Sequence, residues 1–316
     1  MFIKRVTLLA MGLCAGLGAN VSQADVLATS IVELNNFRIL NSSGTQLDRT
    51  DFQTLNFTNS AGATAKLGAT QVSVDQPNSI SSIDFAPQCV GDCGWITDNA
   101  FPVKSFGLGD PGATSYAASD QIEEGSPITG LSGFPQASAH VANASYVGIG
   151  SSYTEGSADS NNGLEANFTF KLATASSLTF DFDLKSYLEV AITSDEEFPS
   201  KASATYEVTF SITDLTTGAV VFDWDALNET ISLNAPLPSD IQLYRGFALG
   251  VPITAPVSNS TGVLAADTLY QLSARINTNV DAARAPIPEP ATLGLLGLGL
   301  LGMGAGRLRR KNAAAG

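Results

Sequence analysis

Hydrophobic and polar residues alternate along the second half of the chain. Every second side chain is apolar from Leu164 to Leu172, and residues 178–184 repeat this alternation after the polar segment ATASS. A period of two turns one side of a strand toward a core and the other side toward solvent. The pattern therefore predicts two strands joined by a short loop as a β-hairpin.

The same alternation recurs in residues 206–212 and 220–224, on either side of the segment TDLTTG. Gly218 in this segment can adopt a positive φ, as tight turns often require. We predict a second hairpin here and a later strand at residues 270–276. Nearer the N-terminus, the segments SIVELNNFRIL and QTLNFTN also have the composition of strands.

Residues 60–153 are rich in Gly, Ser, Ala and Pro and contain only short apolar runs, so we expect irregular β-structure there. No segment outside the two termini has the sustained 3.6-residue period of a helix. Several half-buried strands separated by turns predict an all-β fold, an antiparallel β-sandwich of jelly-roll-like type. An N-terminal signal helix and a short hydrophobic C-terminal helix complete the predicted fold.

The N-terminus has the features of a signal peptide. A basic start, MFIKR, precedes an apolar stretch and then small residues, Ser22 and Ala24, at the positions that signal peptidase inspects. We predict cleavage after Ala24. The mature body would then be one domain over residues 25–278, with two domains as the alternative. A linker of small residues and prolines would follow at residues 279–286.

The body is strongly acidic. Ten of the 16 Lys and Arg residues and 29 of the 30 Asp and Glu residues lie between residues 25 and 288, which gives this part a formal charge of −19. Such a charge repels phosphate backbones and anionic lipid surfaces, so we expect no nucleic-acid partner and no peripheral membrane binding. It favours solubility and association with divalent cations.

Two cysteines remain after removal of the signal, Cys89 and Cys93 in the segment PQCVGDCGW. In an exported chain, two cysteines this close favour a disulfide that closes a small loop around Gly91, worth about 2 kcal/mol at most. A zinc site is the less favoured alternative, because the pair supplies only half of a tetrahedral ligand set and the chain has a single histidine, His140.

The last thirty residues combine prolines, an apolar run and a basic end. Residues 291–306 carry no charge and would span about 24 Å as a helix, which is short of the ~30 Å hydrocarbon core. Their six glycines contribute little apolar surface, so membrane insertion would be marginal. The basic residues that follow would stay in the cytoplasm and leave the acidic body on the exported side.

A tripeptide with two prolines, Pro288-Glu289-Pro290, precedes this apolar run. The prolines prevent a helix from extending backward and leave extended backbone that a protease can bind. Proteolytic processing is therefore the favoured interpretation. A permanent single-span anchor with the same orientation is the alternative.

The tripeptide, the Gly/Leu-rich span and the Arg-rich end together resemble the PEP-CTERM sorting signal of Gram-negative bacteria. The resemblance implies recognition by an exosortase, a membrane-bound, transpeptidase-like cysteine protease. It further implies that the span holds the protein transiently at the inner membrane, that the tail is removed, and that the body reaches the outer surface or the extracellular matrix, often alongside exopolysaccharide production. The matching residues, within 287–311, are Pro288, Glu289, Pro290, Arg307, Arg309 and Arg310.

The body also resembles a group of PEP-CTERM proteins that carry an EDSAxSxxxxG motif. The segment EGSADSNNG matches this motif at Glu155, Ser157, Ala158 and Ser160, whereas Gly156 stands in place of the motif's Asp and the motif's glycine falls early. The segments FDFDLKSYLEV and SITDLTTGAVVFDW resemble later strands of the same group. The group implies no chemistry for the body.

Candidates for catalysis or metal binding are few. His140 is the one residue that could serve as a general base, but no Gly-x-Ser-x-Gly segment accompanies it, so an ordinary surface or loop histidine is favoured. Paired acids of the kind that glycosidases use are present on the predicted strands, where they would lie on an outward sheet face. If those strands are neighbours, opposed carboxylates could bind calcium. The calcium candidates are Asp181, Asp183, Asp223 and Asp225.

These observations predict a non-enzymatic, exosortase-sorted surface or matrix protein with a structural or polysaccharide-associated role in the envelope or a biofilm. Its expected partners are signal peptidase, the exosortase and an exopolysaccharide, and no cofactor other than calcium is expected. The alternative is a secreted hydrolase that acts on glycans. Sugar binding would require exposed aromatic rings, although each candidate ring could instead pack within the body. The candidates are Trp95, Tyr116, Tyr146 and Tyr153.

Overall fold

The computed structural model describes residues 25–79, 82–99, 114–131, 137–148, 157–193, 200–234, 240–245 and 253–284. These residues form thirteen β-strands and one short 3₁₀ turn, Arg49–Asp51, and they belong to one compact unit. The strands are β1 (Val26–Leu40), β2 (Phe52–Leu67), β3 (Thr70–Ser79), β4 (Ile83–Gly91), β5 (Tyr116–Glu124), β6 (Ala137–Val147), β7 (Ser157–Leu172), β8 (Thr179–Ile192), β9 (Ser200–Asp214), β10 (Val220–Asn234), β11 (Ile241–Arg245), β12 (Ile253–Ser260) and β13 (Tyr270–Arg284).

The strands are arranged in two antiparallel sheets. Sheet 1 has seven strands in the order β11-β8-β1-β6-β5-β4, with β12 also paired to β8. Sheet 2 has six strands in the order β10-β9-β13-β7-β2-β3. Alternate side chains of both sheets point inward and form one hydrophobic core, in which Phe180 of sheet 1 and Phe210 of sheet 2 are stacked with ring centroids 5.4 Å apart.

This arrangement confirms the predicted all-β sandwich with antiparallel sheets. Both sheets are larger than the four-stranded sheets of an eight-stranded jelly roll, and the jelly-roll-like connectivity stays a prediction. The two predicted terminal helices fall on residues outside the described part of the chain.

The hairpin predicted for residues 164–184 is wrong. β7 pairs with β2 and β13 in sheet 2, whereas β8 pairs with β1, β11 and β12 in sheet 1. The connecting segment crosses from one sheet to the other. It is held by the 3₁₀ turn, since the amide of Ala173 donates to Asp51 O at 2.8 Å. A period of two shows which side of a strand is buried, but it does not show which strand lies beside it.

The second hairpin is confirmed, because β9 and β10 pair directly. The carboxylate of Asp214 accepts hydrogen bonds from the amides of Thr216 and Thr217 at 2.7 and 3.3 Å. Gly218 has a φ of 74° and donates its amide to Asp214 O at 2.8 Å. Asp at the start of the turn and Gly at the left-handed position therefore close the connection as the sequence predicted.

The prediction of irregular structure for residues 60–153 is also wrong, since this part forms much of β2 and all of β3 to β6. β2 turns Ala61, Ala63 and Ala65 toward the core, where all three are buried. The alanines of β2 alternate with small or polar residues, and alanine and serine are frequent in β5 and β6. Small side chains carry little of the hydrophobic contrast from which a strand is normally recognised.

β13 ends later than predicted. The predicted linker, residues 279–286, begins inside this strand, which pairs with both β7 and β9 as far as Ala283. Val280 and Ala282 are fully buried, and Arg284 donates to Gly148 O at 3.1 Å. The body therefore extends through Arg284, because alternation continues there with small side chains.

Candidate functional site

The four calcium candidates do not come together. Asp181 and Asp183 lie on β8 of sheet 1, whereas Asp223 and Asp225 lie on β10 of sheet 2, so the two pairs are on different sheets. Arg38 binds the carboxylate of Asp181, and Asn36 Nδ2 donates to Asp183 Oδ2 at 2.5 Å. Among the described residues, no group of three or more His, Cys, Asp or Glu side chains is arranged to hold a metal ion.

The aromatic candidates are not exposed platforms. Tyr116 and Tyr146 are fully buried and stacked with ring centroids 5.8 Å apart, in a second apolar cluster on the outer face of sheet 1. Trp95 packs edge-on against Tyr116 at 4.9 Å. Tyr153 lies outside the described residues. The three described candidates therefore serve packing, which was the alternative interpretation.

The predicted disulfide is confirmed. Cys89 and Cys93 are bonded, with Cα atoms 6.0 Å apart, and the segment they enclose contains Gly91 with a φ of 95°. Cys89 also contacts the apolar cluster under Trp95. The disulfide therefore fixes the segment that lies against the outer face of sheet 1.

His140 lies in β6 and is nearly buried, so it is not the surface or loop histidine that the sequence favoured. Its Nδ1 atom is 3.6 Å from Glu33 Oε1, and Lys185 Nζ donates to the same oxygen at 2.6 Å. Burial alone would raise the pKa of Glu33, but hydrogen bonds and charges from His140 and Lys185 outweigh it and lower the pKa to about 2. Glu33 is therefore ionised at neutral pH and links three neighbouring strands.

The outer face of sheet 2 is covered by small polar side chains, and we call it the polar face. One row across five strands consists of Thr64, Asn161, Asn279, Thr205 and Thr230, paired in this order. These are amides and hydroxyls, which can both donate and accept hydrogen bonds. The polar face therefore offers dense and mostly uncharged hydrogen-bonding capacity to an extended ligand.

A depression crosses the middle of the polar face, where Gly62 of β2 is paired with Gly163 of β7. It has two adjoining parts of about 510 and 320 Å³ that share Gly163 and Asn277, and we call them together the trough. Asn277 beside it donates from Nδ2 to Glu207 Oε2 at 3.3 Å. The trough is thus open where two neighbouring strands lack side chains.

Neither backbone conformation nor packing requires these glycines. Neither has a φ in the left-handed region, and an added Cβ would lie 3.5 Å from Asp75 Oδ1 at Gly62 and 3.2 Å from Asn277 Oδ1 at Gly163. Both neighbours are the ends of side chains that can rotate. Glycine inside a strand costs about 0.5–1 kcal/mol relative to alanine, and it often marks a place where a ligand approaches the backbone.

A pair of carboxyl groups lies further along the polar face. Asp159 of β7 and Asp281 of β13 are directly opposite one another, with Lys66 4.0 Å from Asp159 and Lys201 3.0 Å from Asp281. Burial, together with the hydrogen bond and charge of Asp281, raises the pKa of Asp159 to about 6. The two acids are in contact on a sheet face, so no substrate fits between them as it does between the carboxylates of a glycosidase.

A cavity of about 70 Å³ lies between the sheets, near the end of β5. Its lining is mostly apolar and includes Phe57, Phe168 and Ile276 of sheet 2. Glu123 of β5 also lines it, and its Oε2 atom is buried with no hydrogen-bond partner among the described residues. Burial raises the pKa of Glu123 to about 8, so the carboxyl group is largely protonated at neutral pH.

Beyond the last strand, residues 286–311 match the PEP-CTERM protein-sorting motif. The chain is a PEP-CTERM protein. The match begins two residues after the end of β13 at Arg284, so sorting signal and folded body adjoin without overlapping. Its resemblance to the EDSAxSxxxxG group stays a prediction.

The residues predicted for sorting and signal cleavage in this PEP-CTERM protein lie outside the described part of the chain. They are Ala24, Pro288, Glu289, Pro290, Arg307, Arg309 and Arg310. The predicted span, residues 291–306, lies there as well. Within the described stretches, no helix is long and apolar enough to cross a membrane.

Comparison with the curated proteins finds no match. Among solved structures, T=1 particles derived from infectious bursal virus are 9% identical, with 86% of this chain and 80% of that chain covered and a TM-score of 0.09. The Gt strain of infectious bursal disease virus is 10% identical, with 84% and 78% covered and a TM-score of 0.08. Structural similarities with TM-scores this low support no conclusion about the fold or the function of this chain.

Two features of the PEP-CTERM body have no clear sequence signal, the inter-sheet cavity and the trough. Gly163 ends the motif-like segment EGSADSNNG, but its pairing with Gly62 requires knowledge of the strand register. Glu123 has no sequence signal of its own, because an acid near the end of a polar strand is ordinarily exposed.

Proposed function

We propose that this PEP-CTERM protein is exported, held briefly at the inner membrane of a Gram-negative cell by residues 291–306, and cut by an exosortase near Pro288-Glu289-Pro290. The body then acts outside the cell as a non-enzymatic protein with a structural or polysaccharide-associated role in the envelope or a biofilm. The observation that carries this proposal is the sorting motif at residues 286–311.

The end of the folded body is consistent with cleavage in this region. β13 lies between β9 and β7 in sheet 2, so a cut inside this strand would remove a central element of the sheet. Arg284 ends the strand, and the motif begins at residue 286. Cleavage anywhere within the motif leaves all of the described strands intact.

The polar face and its trough support the polysaccharide-associated role. Sugar hydroxyls donate and accept hydrogen bonds, as do the amides and hydroxyls of Asn161, Asn277 and Asn279 and their neighbours. The body carries a formal charge of −19, which would repel an anionic polysaccharide. An uncharged glycan chain is therefore the ligand that we propose for this face.

Deletion of the host's exosortase tests the sorting proposal. The protein should then keep its C-terminal extension, show a correspondingly higher mass, and remain in the cell membrane fraction rather than the medium. A chain that ends at Ala285 is the matched control, since it lacks the motif and should be released in both strains. Unchanged mass and location after the deletion would contradict the proposal.

Filling the trough tests the polysaccharide proposal. The exported protein should retain the neutral fraction of the host's exopolysaccharide in affinity electrophoresis, and Gly163→Val should weaken this retention at least about fivefold, because its side chain occupies the trough. The thermal midpoint should stay the same or rise, since valine suits a strand better than glycine.

Thr213→Val is the control for that variant. Thr213 lies in the same sheet, paired with Gln271, which is six residues and about 20 Å along β13 from Asn277. This variant should retain the glycan as the parent does. Equal retention by all three proteins, or preferential retention of the acidic fraction, would count against a glycan site in the trough.

A further inference from the structure

The inter-sheet cavity exists because small side chains meet there from both sheets. Ala137 and Ala139 of β6 face Ala166 of β7 and Ala274 of β13 across it. Interior packing in proteins is ordinarily close to that of organic crystals, and an unfilled space destabilises the fold in proportion to its volume. Larger apolar residues at these four positions would fill the space. The sequence therefore keeps a cavity that simple substitutions would remove.

The same cavity holds a second unfavourable feature. Glu123 lines it, and the Oε2 atom of this residue is buried without a hydrogen-bond partner among the described residues. An unsatisfied buried polar atom is rare in native proteins. A void and an unsatisfied carboxyl oxygen therefore occur at the same residue, and a single bound molecule would compensate for both.

The charged groups around Glu123 leave it without an ionic partner among the residues that the structure describes. Glu124, its neighbour on β5, accepts a hydrogen bond from Ser138 Oγ at 3.4 Å. Arg275 of β13 also lines the cavity, but its guanidinium binds Glu165 at 3.0 Å. Burial is accordingly the cause that raises the pKa of Glu123 to about 8. At neutral pH its carboxyl group can donate a hydrogen bond as well as accept one.

The size of the cavity limits the ligand. One water needs roughly 10–15 Å³ of such space, so a cavity of about 70 Å³ has room for about five waters or a molecule of about five to seven non-hydrogen atoms. Water is poorly suited to most of this space, because the rings of Phe57 and Phe168 and the side chain of Ile276 offer it no hydrogen bonds.

We propose that the cavity binds a small uncharged compound, or an uncharged substituent of a larger one, with a short apolar chain and an oxygen atom that hydrogen-bonds to the Glu123 carboxyl group. Short-chain alcohols and esters belong to this class. The residues changed in the tests below, Glu123 and Ala166, do not line the trough and lie outside the sorting motif, so their outcome is independent of the function proposed above.

Titration of the exported protein with 1-pentanol, followed by isothermal calorimetry, tests this site. We expect saturable binding with a Kd of about 1 mM at pH 7. Glu123→Gln should bind within about threefold of the parent, because its amide also donates. Glu123→Leu should bind at least about tenfold more weakly, and so should Ala166→Leu, which fills the cavity from the opposite sheet. Thermal unfolding of each variant verifies that it is folded.

The pH dependence separates this site from a purely apolar void. Between pH 7 and pH 9 the affinity of the parent for ethyl acetate should fall about tenfold, because the ester only accepts hydrogen bonds and the ionised Glu123 can no longer donate one, while that of Glu123→Gln should not change. Absence of saturable binding, or equal binding by the parent and Glu123→Leu, overturns the proposal. Tighter binding of pentylammonium than of 1-pentanol, increasing with pH, would also overturn it and identify a site for cations.

Discussion

Replacement of Phe210 by alanine should lower the free energy of unfolding by about 4 kcal/mol, within the range for truncating a buried aromatic residue. Phe210 is fully buried, and its ring centroid lies 5.3–5.5 Å from those of Phe37, Phe180, Phe182 and Trp224. These partners come from both sheets, so the truncation leaves a hole between the layers of the sandwich. Urea denaturation of the parent and the variant measures the loss.

Val220→Ala is the control, because Val220 lies on β10 and is 61% exposed. Its effect on the unfolding free energy should stay within about 0.5 kcal/mol. A loss below about 1 kcal/mol for Phe210→Ala would mean that the sheets do not pack on each other around this ring, and the sandwich would need revision.

Gly91→Ala should destabilise the protein by about 3 kcal/mol, through backbone strain and steric overlap together. Gly91 has a φ of 95°, and a Cβ added there would lie 2.1 Å from Ser115 O and 2.9 Å from the Cα of Tyr116. Both are backbone atoms at the start of the neighbouring strand, so relief requires β4 and β5 to separate. A left-handed φ alone costs a residue with a side chain about 1–3 kcal/mol, and the overlap adds to it. Thermal and urea unfolding measure the effect.

Gly44→Ala separates the two contributions. Gly44 also has a positive φ, 77°, but nothing lies within 4 Å of an added Cβ. This variant should lose about 1 kcal/mol, from backbone strain alone. Equal losses at the two positions would show that the close approach of β5 to Gly91 contributes nothing to stability.

Much of the fold could be predicted because the buried side of a strand follows from the alternation of neighbouring residues. The alternation from Leu164 to Leu172 and from Tyr206 to Ile212 identified strands and their buried sides, and TDLTTG identified the hairpin between β9 and β10. The alternation pattern did not reveal the strands in residues 60–153, where alanine and serine often replace large apolar residues. The contrast between the two faces is then too small to reveal a strand.

The candidate sites divide in the same way. A sorting signal is a contiguous string of residues, so it is recognisable from the sequence, and the motif match at residues 286–311 agrees with it. The cavity around Glu123 and the trough at Gly62 and Gly163 are assembled from strands that are distant in the chain. Nothing in a single segment marks them.

Four features could be recognised from neighbouring residues alone: the sorting signal, the all-β class, the buried face of the long strands and the disulfide. The folded arrangement was needed to show that β7 and β8 belong to different sheets, that the four calcium candidates are split between those sheets, and that Tyr116 and Tyr146 are buried. This is because a strand's hydrogen-bonding edges are the same whatever its side chains. Its partner is chosen by the packing of the whole core, which a local pattern does not encode.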